Sequence, residues 1–230
     1  MQWFLAILMC VALANPGDCS TIVFSEKRGT GNEEYVPKTP INKVVSPSIA
    51  ARAFFESGKA KYEWKDLEEF VGLKTLCILN KSFGDDHIRI LEELSSLTVL
   101  TLDRTSITSL KQLPEMLGMR AFSFNQTAVT SLEGIEQCRN LLRIDISALK
   151  LESLEKLKEL EELRVILAYQ LGSDIDWSVL AKMPKLQKVI VESDCQNKTL
   201  GALGKKVIKD SSHTISWDHS DFPKNNWCYY

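Results

Sequence analysis

Apolar residues between Trp64 and Cys195 recur at five fixed positions, six rows deep. The last column reads Ile78, Leu102, Phe124, Ile146, Val165 and Val191, and two residues earlier stand Leu76, Leu100, Phe122, Ile144, Leu163 and Val189. Five residues before the last column come Leu73, Leu97, Met119, Leu141, Leu160 and Leu186. Eight before come Phe70, Leu94, Met116, Cys138, Leu157 and Met183, and eleven before come Leu67, Leu91, Leu113, Ile135, Leu154 and Leu180. The closing apolar-x-apolar pair predicts a short strand, because alternate side chains on a strand share a face. The triplet spacing upstream suits short helical or 3-10 turns. A unit of this size has no partner for its own apolar face, so neighbouring rows must stack. Parallel strands are expected near residues 76–78, 100–102, 122–124, 144–146, 163–165 and 189–191. Row spacings of 24, 22, 22, 19 and 26 residues predict a lost triplet between Ile146 and Leu154 and an insertion around Ala168 to Asp174 that bulges near Gly172.

The pattern L-x-x-L-x-x-L-x-x-L-x-L resembles the leucine-rich repeat in its 22-residue class, the kind seen in bacterial internalins and in a regulatory subunit of protein phosphatase 1. The resemblance covers about Trp64 to Cys195. It implies an α/β fold: a leucine-rich-repeat solenoid with a curved parallel sheet of about six repeats, plus N- and C-terminal caps. The family places an asparagine three residues after the last strand leucine. Here that column reads Lys81, Thr105, Thr127, Leu149, Ala168 and Asp194. Thr covers part of that bonding and Leu149 and Ala168 none, so the later loops are expected to be held by packing.

The same alignment assigns the concave face. One column reads Thr75, Val99, Ala121, Arg143, Glu162 and Lys188, and the next Cys77, Thr101, Ser123, Asp145, Arg164 and Ile190. The third reads Leu79, Asp103, Asn125, Ser147, Ile166 and Glu192. Fixed charges give specificity at interfaces and Arg is favoured at their centres. Arg143, Asp145, Glu162, Arg164, Lys188 and Glu192 are therefore the expected contacts to a protein ligand on the concave face. The alternative is a solvated sheet whose charges pair with one another. Secreted members of the family often staple their caps, which implies Cys195 with Cys228 and then Cys19 with Cys77. Cys138, in an apolar column, is expected to be a buried free thiol.

The flanks are read as a signal peptide at 1–14, an N-terminal arm and cap at 15–63, the repeats at 64–195 and a C-terminal cap at 196–230. Met1 to Ala14 carries no charged side chain. Its apolar run Trp3 to Val11 is too short to cross a bilayer as a helix and ends in Ala12-Leu13-Ala14, a pattern that a signal peptidase accepts. The alternative is a buried N-terminal strand or helix. Ser46-Pro47 with Ile49 to Glu56 and Gly58 reads as a capping helix. The alternation Ala60, Tyr62, Trp64 reads as a strand leading into the first repeat. At the other end Leu200 to Ile208 is expected to be the last helix, Thr214 to Trp217 the last strand, and Phe222 to Tyr230 an aromatic tail over that edge.

Twenty-eight basic and thirty acidic residues leave a net charge of -2. That gives no electrostatic reason to expect nucleic acid, and no stretch after the leader is long and apolar enough for a membrane span. Sequons at Asn80, Asn125 and Asn197 are candidate glycosylation sites. His213 and His219, near Asp218, Asp221 and Cys228, lack any tight metal-ligand spacing and read more simply as a polar tail. Asp85-Asp86-His87 reads as a turn with Asp86 as N-cap. No catalytic motif appears, and no cofactor or metal is implied. The sequence is thus expected to encode a secreted, extracellular leucine-rich-repeat binding protein for protein–protein recognition or adhesion, a disulfide-bonded glycoprotein and not an enzyme. The alternative is an intracellular adaptor or regulatory subunit of an enzyme with the same repeats.

Overall fold

The computed structural model describes residues 64–69, 72–79, 81–172 and 174–210, together with the backbone of 21–25. Eight parallel strands form one open sheet in strict chain order. They are β1 (Thr21–Ser25), β2 (Thr75–Leu79), β3 (Val99–Thr101), β4 (Ala121–Ser123), β5 (Arg143–Asp145), β6 (Val165–Leu167), β7 (Lys188–Glu192) and β8 (Val207–Asp210). The return segments are turns and 3-10 helices; among the described residues none is an α-helix. The fold is a leucine-rich-repeat solenoid. Parallel neighbours need a long crossover, and here each crossover is one repeat.

One apolar core runs the length of the stack, from Trp64 to Leu203. Rows two, three, four and six fill it as the sequence predicts: Leu102, Phe124, Ile146 and Val191 are buried beneath their strands, with the residues two, five, eight and eleven positions earlier buried behind them. Row five corrects the alignment. Ile144 pairs with Ile166 and Asp145 with Leu167, so the fifth row is Leu157, Leu160, Leu163, Ile166 and Ala168, three residues later than expected. The strand-to-strand spacings become 24, 22, 22, 22 and 23 residues. No triplet is lost, and the insertion shrinks to one residue. The cause is a degeneracy. Leu154, Leu157, Leu160 and Leu163 repeat every third residue, so a shift of three keeps apolar residues in the upstream columns. Only strand pairing, which seats the small Ala168 in the core, fixes the register.

Each repeat is built by a few recurring bonds. The carbonyls of Lys74, Thr98, Arg120, Leu142 and Arg164, each just ahead of its strand, accept two successive N–H groups from the next repeat at 2.8–3.1 Å. Beyond the strands the chain turns through Arg104, Gln126, Ala148 and Gln170, all left-handed at φ 53–57°. Next to them, Thr105 and Thr127 donate their hydroxyls to the carbonyls of Leu102 and Phe124 at 2.7 and 2.8 Å. The later equivalents Leu149 and Leu171 are buried instead. The loops thus change from hydrogen bonding to packing along the stack, as the column of Thr and Leu implied. On the return side Ser109, Ser131 and Ser153 accept the N–H two residues on at 3.0–3.2 Å, and Asp176 does the same for Ser178 at 2.9 Å. Gly134 sits at φ 102°, where a Cβ would stand 2.1 Å from the Leu110 carbonyl oxygen.

The ends depart from expectation where they are described. Trp64 opens a 3-10 helix, Trp64–Glu69, rather than closing a strand, and β2 pairs with β1. Gly84, not Asp86, caps the 3-10 helix Asp85–Glu93, with its N–H donating to Nδ1 of His87 at 3.0 Å. His87 packs half-buried against Phe83 and Trp64, ring centroids 5.4 and 6.0 Å apart, so it serves the helix cap at the edge of the core. The last described helix is 3-10, Leu200–Lys206, and the strand that follows is Val207–Asp210. The expected leader, the capping helix at 49–56, the strand at 214–217, the aromatic tail, and His213 and His219 lie outside the described residues. Among the described residues no helix is long and apolar enough to cross a membrane.

Candidate functional site

The corrected register changes the face opposite the core. Its columns now read Thr75, Val99, Ala121, Arg143, Val165, Lys188, then Cys77, Thr101, Ser123, Asp145, Leu167, Ile190, then, from the second repeat on, Asp103, Asn125, Ser147, Tyr169, Glu192. Val165, Leu167 and Ile190 form a second apolar cluster there, with Tyr169 against it. The expected run of charge is therefore interrupted: Glu162 and Arg164 leave the face, and Val165 and Leu167 take their places. Of the six anticipated contacts the structure keeps Arg143, Asp145, Lys188 and Glu192 on the face, and only Lys188 and Glu192 are partly accessible. Arg143 and Asp145 are 6% and 8% exposed.

The buried Asp103, Asp145 and Ser147 of this face join partly buried neighbours in a ladder across repeats. Asp103 accepts from Ser123 Oγ at 2.6 Å and from the backbone N–H and the Nδ2 of Asn125, both at 2.9 Å. The same Nδ2 reaches Asp145 Oδ2 at 3.4 Å, and Asp145 Oδ1 accepts the Ser147 N–H at 2.9 Å. Ser147 Oγ accepts the Tyr169 N–H at 3.1 Å. Tyr169 then donates its hydroxyl to Asp210 at 2.8 Å, tying the β6 loop to β8. Burial raises the pKa of Asp145, against the opposing pull of Ser147, Asn125 and the Arg143 guanidinium. Burial and Asp210 together push Tyr169 above the ordinary phenol value. These groups satisfy one another, as buried polar networks must. The sequence could not show the Tyr169–Asp210 bond, because the shifted row put Ile166 in that column.

Two sequon asparagines are engaged in side-chain hydrogen bonds, Asn125 within this ladder and Asn197 outside it. Asn125 spends its amide on Asp103 and Asp145. Asn197 donates Nδ2 to the Ile175 carbonyl at 2.8 Å and accepts the Thr199 N–H and hydroxyl at 2.9 and 2.7 Å. Asn80 lies outside the described residues. Among the cysteines, Cys77 is disulfide-bonded; its expected partner Cys19 lies outside the described residues. Cys138 is a buried free thiol whose pKa burial raises to about 12. Cys195 is also free, and Cys228, its expected partner, lies outside the described residues; Cys195 is half-buried beyond Glu192, its carbonyl held by Lys209 Nζ at 2.8 Å.

The accessible charge lies instead along the rim where the chain enters the strands. The column just ahead of each strand reads Lys74, Thr98, Arg120, Leu142, Arg164 and Gln187. Lys74, Arg120, Arg164 and Gln187 are exposed and the other two partly so. Sequence reading passed over this column because it belongs neither to the core nor to the sheet face. Its signal is a basic residue in every second row. Glu162 stands on the same rim, paired with Lys185. Lys185 chiefly holds its carboxyl below the usual range, against the opposing effect of burial, and Arg164 and Arg120 add a lesser attraction. Beside it, Arg120 Nη1 donates to the Asn140 carbonyl and Asn140 Nδ2 to the Leu117 carbonyl, both at 3.0 Å. Leu117 is 45% exposed. The return face, by contrast, carries compensated pairs: Lys111 with Glu133 at 2.9 Å, Lys156 with Glu159 at 2.8 Å, and Lys158 with Glu155. Among the described residues no group of three His, Cys, Asp or Glu is placed to hold a metal ion.

No protein-family model and no curated protein matches the chain. Among solved structures it is similar to internalin C2 of Listeria monocytogenes, with a TM-score of 0.49, 23% identity and 55% of each chain covered. It is also similar to a leucine-rich-repeat protein of Leptospira interrogans, with a TM-score of 0.46 and 20% identity over 64% of this chain and 45% of that one. A second Listeria monocytogenes internalin (inlF) gives a TM-score of 0.39 and 16% identity over 64% of this chain and 56% of that one. The chain thus spans about half the length of the structures it matches. The fold rests on the chain's own register: six apolar rows stacked beneath consecutive parallel strands make it a leucine-rich-repeat solenoid.

Proposed function

We propose that the chain is a secreted recognition module that holds a protein partner and catalyses nothing itself. The observation that carries this reading is the entry rim. In five consecutive repeats the backbone ahead of the strand is fixed by a carbonyl that accepts two N–H groups, and the side chains borne there point to solvent in a regular series. Preorganised side chains lose little freedom on binding. The sheet face, expected to be the docking surface, is largely committed to internal bonding. Secretion is supported by the bonded state of Cys77, since disulfides persist in oxidising compartments, and by the apolar run Trp3 to Val11.

The test has two parts. The protein is expressed in its native host, and the medium and cell extract are compared. Recovery from the medium, beginning at Asn15 and with Cys77 oxidised, is expected. Protein confined to the cytosol, with Met1 intact and Cys77 reduced, would overturn secretion in favour of the intracellular adaptor. A photo-crosslinking residue placed at Leu117 is then expected to capture an extracellular protein that the same residue placed at Lys158 does not. Equal capture from both positions would remove the rim as a recognition surface.

A further inference from the structure

The rim has a periodicity of its own. Cations stand at Lys74, Arg120 and Arg164, ahead of β2, β4 and β6, with Thr98 and Leu142 ahead of β3 and β5 between them. Neighbouring strands lie about 4.8 Å apart, so successive cations are about 9.6 Å apart along the sheet. A polyproline II chain rises about 3.1 Å per residue with three residues per turn, so every third residue returns to one side at about 9.3 Å. Three anionic side chains on one edge of such a chain meet three cations without bending either partner.

Resting on the recognition-module reading, we infer that the entry rim binds an extended acidic peptide with a carboxylate at every third residue. The peptide would lie across the strands from Lys74 to Arg164. Its carboxylates pair with Lys74, Arg120 and Arg164. An apolar side chain between them contacts Leu117 and the half-buried Leu142. Arg120 is already held for this role, with its guanidinium bonded to the Asn140 carbonyl at 3.0 Å. Glu162 favours a spaced pattern of carboxylates over a continuous polyanion, because a negative group directly opposite it is repelled. An anionic polysaccharide shares the charge but has no aliphatic side chain for Leu117, one of two large hydrophobic residues that are exposed among those described. That contact decides for a peptide.

Fluorescence anisotropy with the intact protein and synthetic peptides tests the match. One peptide carries three glutamates, each followed by two prolines. Its control has the same composition with the glutamates adjacent. The spaced peptide is expected to bind at least about tenfold more tightly, with an affinity that falls as salt rises. Arg120→Ser with Arg164→Ser is expected to remove that preference, and Leu117→Ser to weaken the spaced peptide severalfold. Lys156→Ser with Lys158→Ser on the return face should leave both unchanged. A gain of function guards against misfolded variants: Arg120→Glu with Arg164→Glu is expected to prefer the same peptide with lysines for glutamates. Equal affinity for the spaced and adjacent peptides overturns the inference. So does a heparin oligosaccharide whose binding needs Arg120 and Arg164 but ignores Leu117. Either failure leaves the recognition module standing if Leu117 still captures a protein partner, whereas loss of that capture removes the broader reading as well.

Discussion

Asn125 is bound to Asp103 of the preceding repeat by two bonds of 2.9 Å, one from its backbone N–H and one from its side-chain amide. One carboxylate thereby fixes both the path and the rotamer of a residue 22 positions later. Because the amide also faces Asp145, it stands between two acids that would otherwise meet. Glycopeptide mapping of protein made in a glycosylating host should find Asn125 unoccupied. Asn125→Ala should lower stability to chemical denaturation by about 2 kcal/mol, the range for losing hydrogen bonds to charged groups. A glycan found on Asn125 in the folded protein would show that the ladder is not formed.

Asp145 should give the fold an unusual response to acid. Burial raises its pKa, so the folded state binds this proton more readily than the unfolded chain. Its ionisation therefore subtracts stability above the folded pKa, and that loss is relieved as pH falls through it, disappearing below the unfolded value near 3.9. Measured against Asp145→Asn, the wild-type protein should gain relative stability as pH is lowered from 7 towards 4. Urea midpoints of the two proteins at several pH values check the sign, and a difference that moves the other way refutes it.

Gly134 admits no side chain. At φ 102° an L-residue is strained, and a Cβ would collide with the Leu110 carbonyl backbone rather than with a side chain that could move. Gly134→Ala should therefore cost on the order of 3 kcal/mol or prevent folding. Gly172→Ala is the control: nothing lies within 4 Å of the Cβ it would add. Thermal melts of the pair should separate by many degrees.

The two free thiols should differ sharply in reactivity. Cys138 is fully buried in the core with its pKa raised to about 12, and only the thiolate reacts. Cys195 is half-buried at the end of the stack, and burial chiefly raises its pKa as well. Under native conditions a maleimide should modify Cys195 slowly and Cys138 only on unfolding. Mass spectrometry of the labelled peptides reads this directly, and modification of Cys138 at the rate of Cys195 would contradict its place in the core.

Much of the fold was legible in the chain because a repeat states its own period. Leu76, Leu100, Phe122, Ile144 and Val189 could be set on one buried column from spacing alone, and every pair among their strands is parallel. Cys138 was legible for the same reason, since its column is otherwise apolar. The change from Thr105 and Thr127 to Leu149 also foretold which loops are hydrogen-bonded and which are packed. What local pattern could not decide was the register of a row whose leucines recur every third residue. Leu154 to Leu163 satisfy two alignments equally, and only pairing of Ile144 with Ile166 separates them. That one shift moved Glu162 and Arg164 from the sheet face to the rim and Ile166 into the core, and put Val165, Leu167 and Tyr169 in the places of the three. Burial of Arg143 and Asp145 was likewise invisible, because a charged residue in a strand is written the same way whether water or protein lies above it. The sequence by itself determined the repeat, since hydrophobic spacing is a local property. The tertiary structure decided the site, since exposure depends on which residues become neighbours when the rows stack.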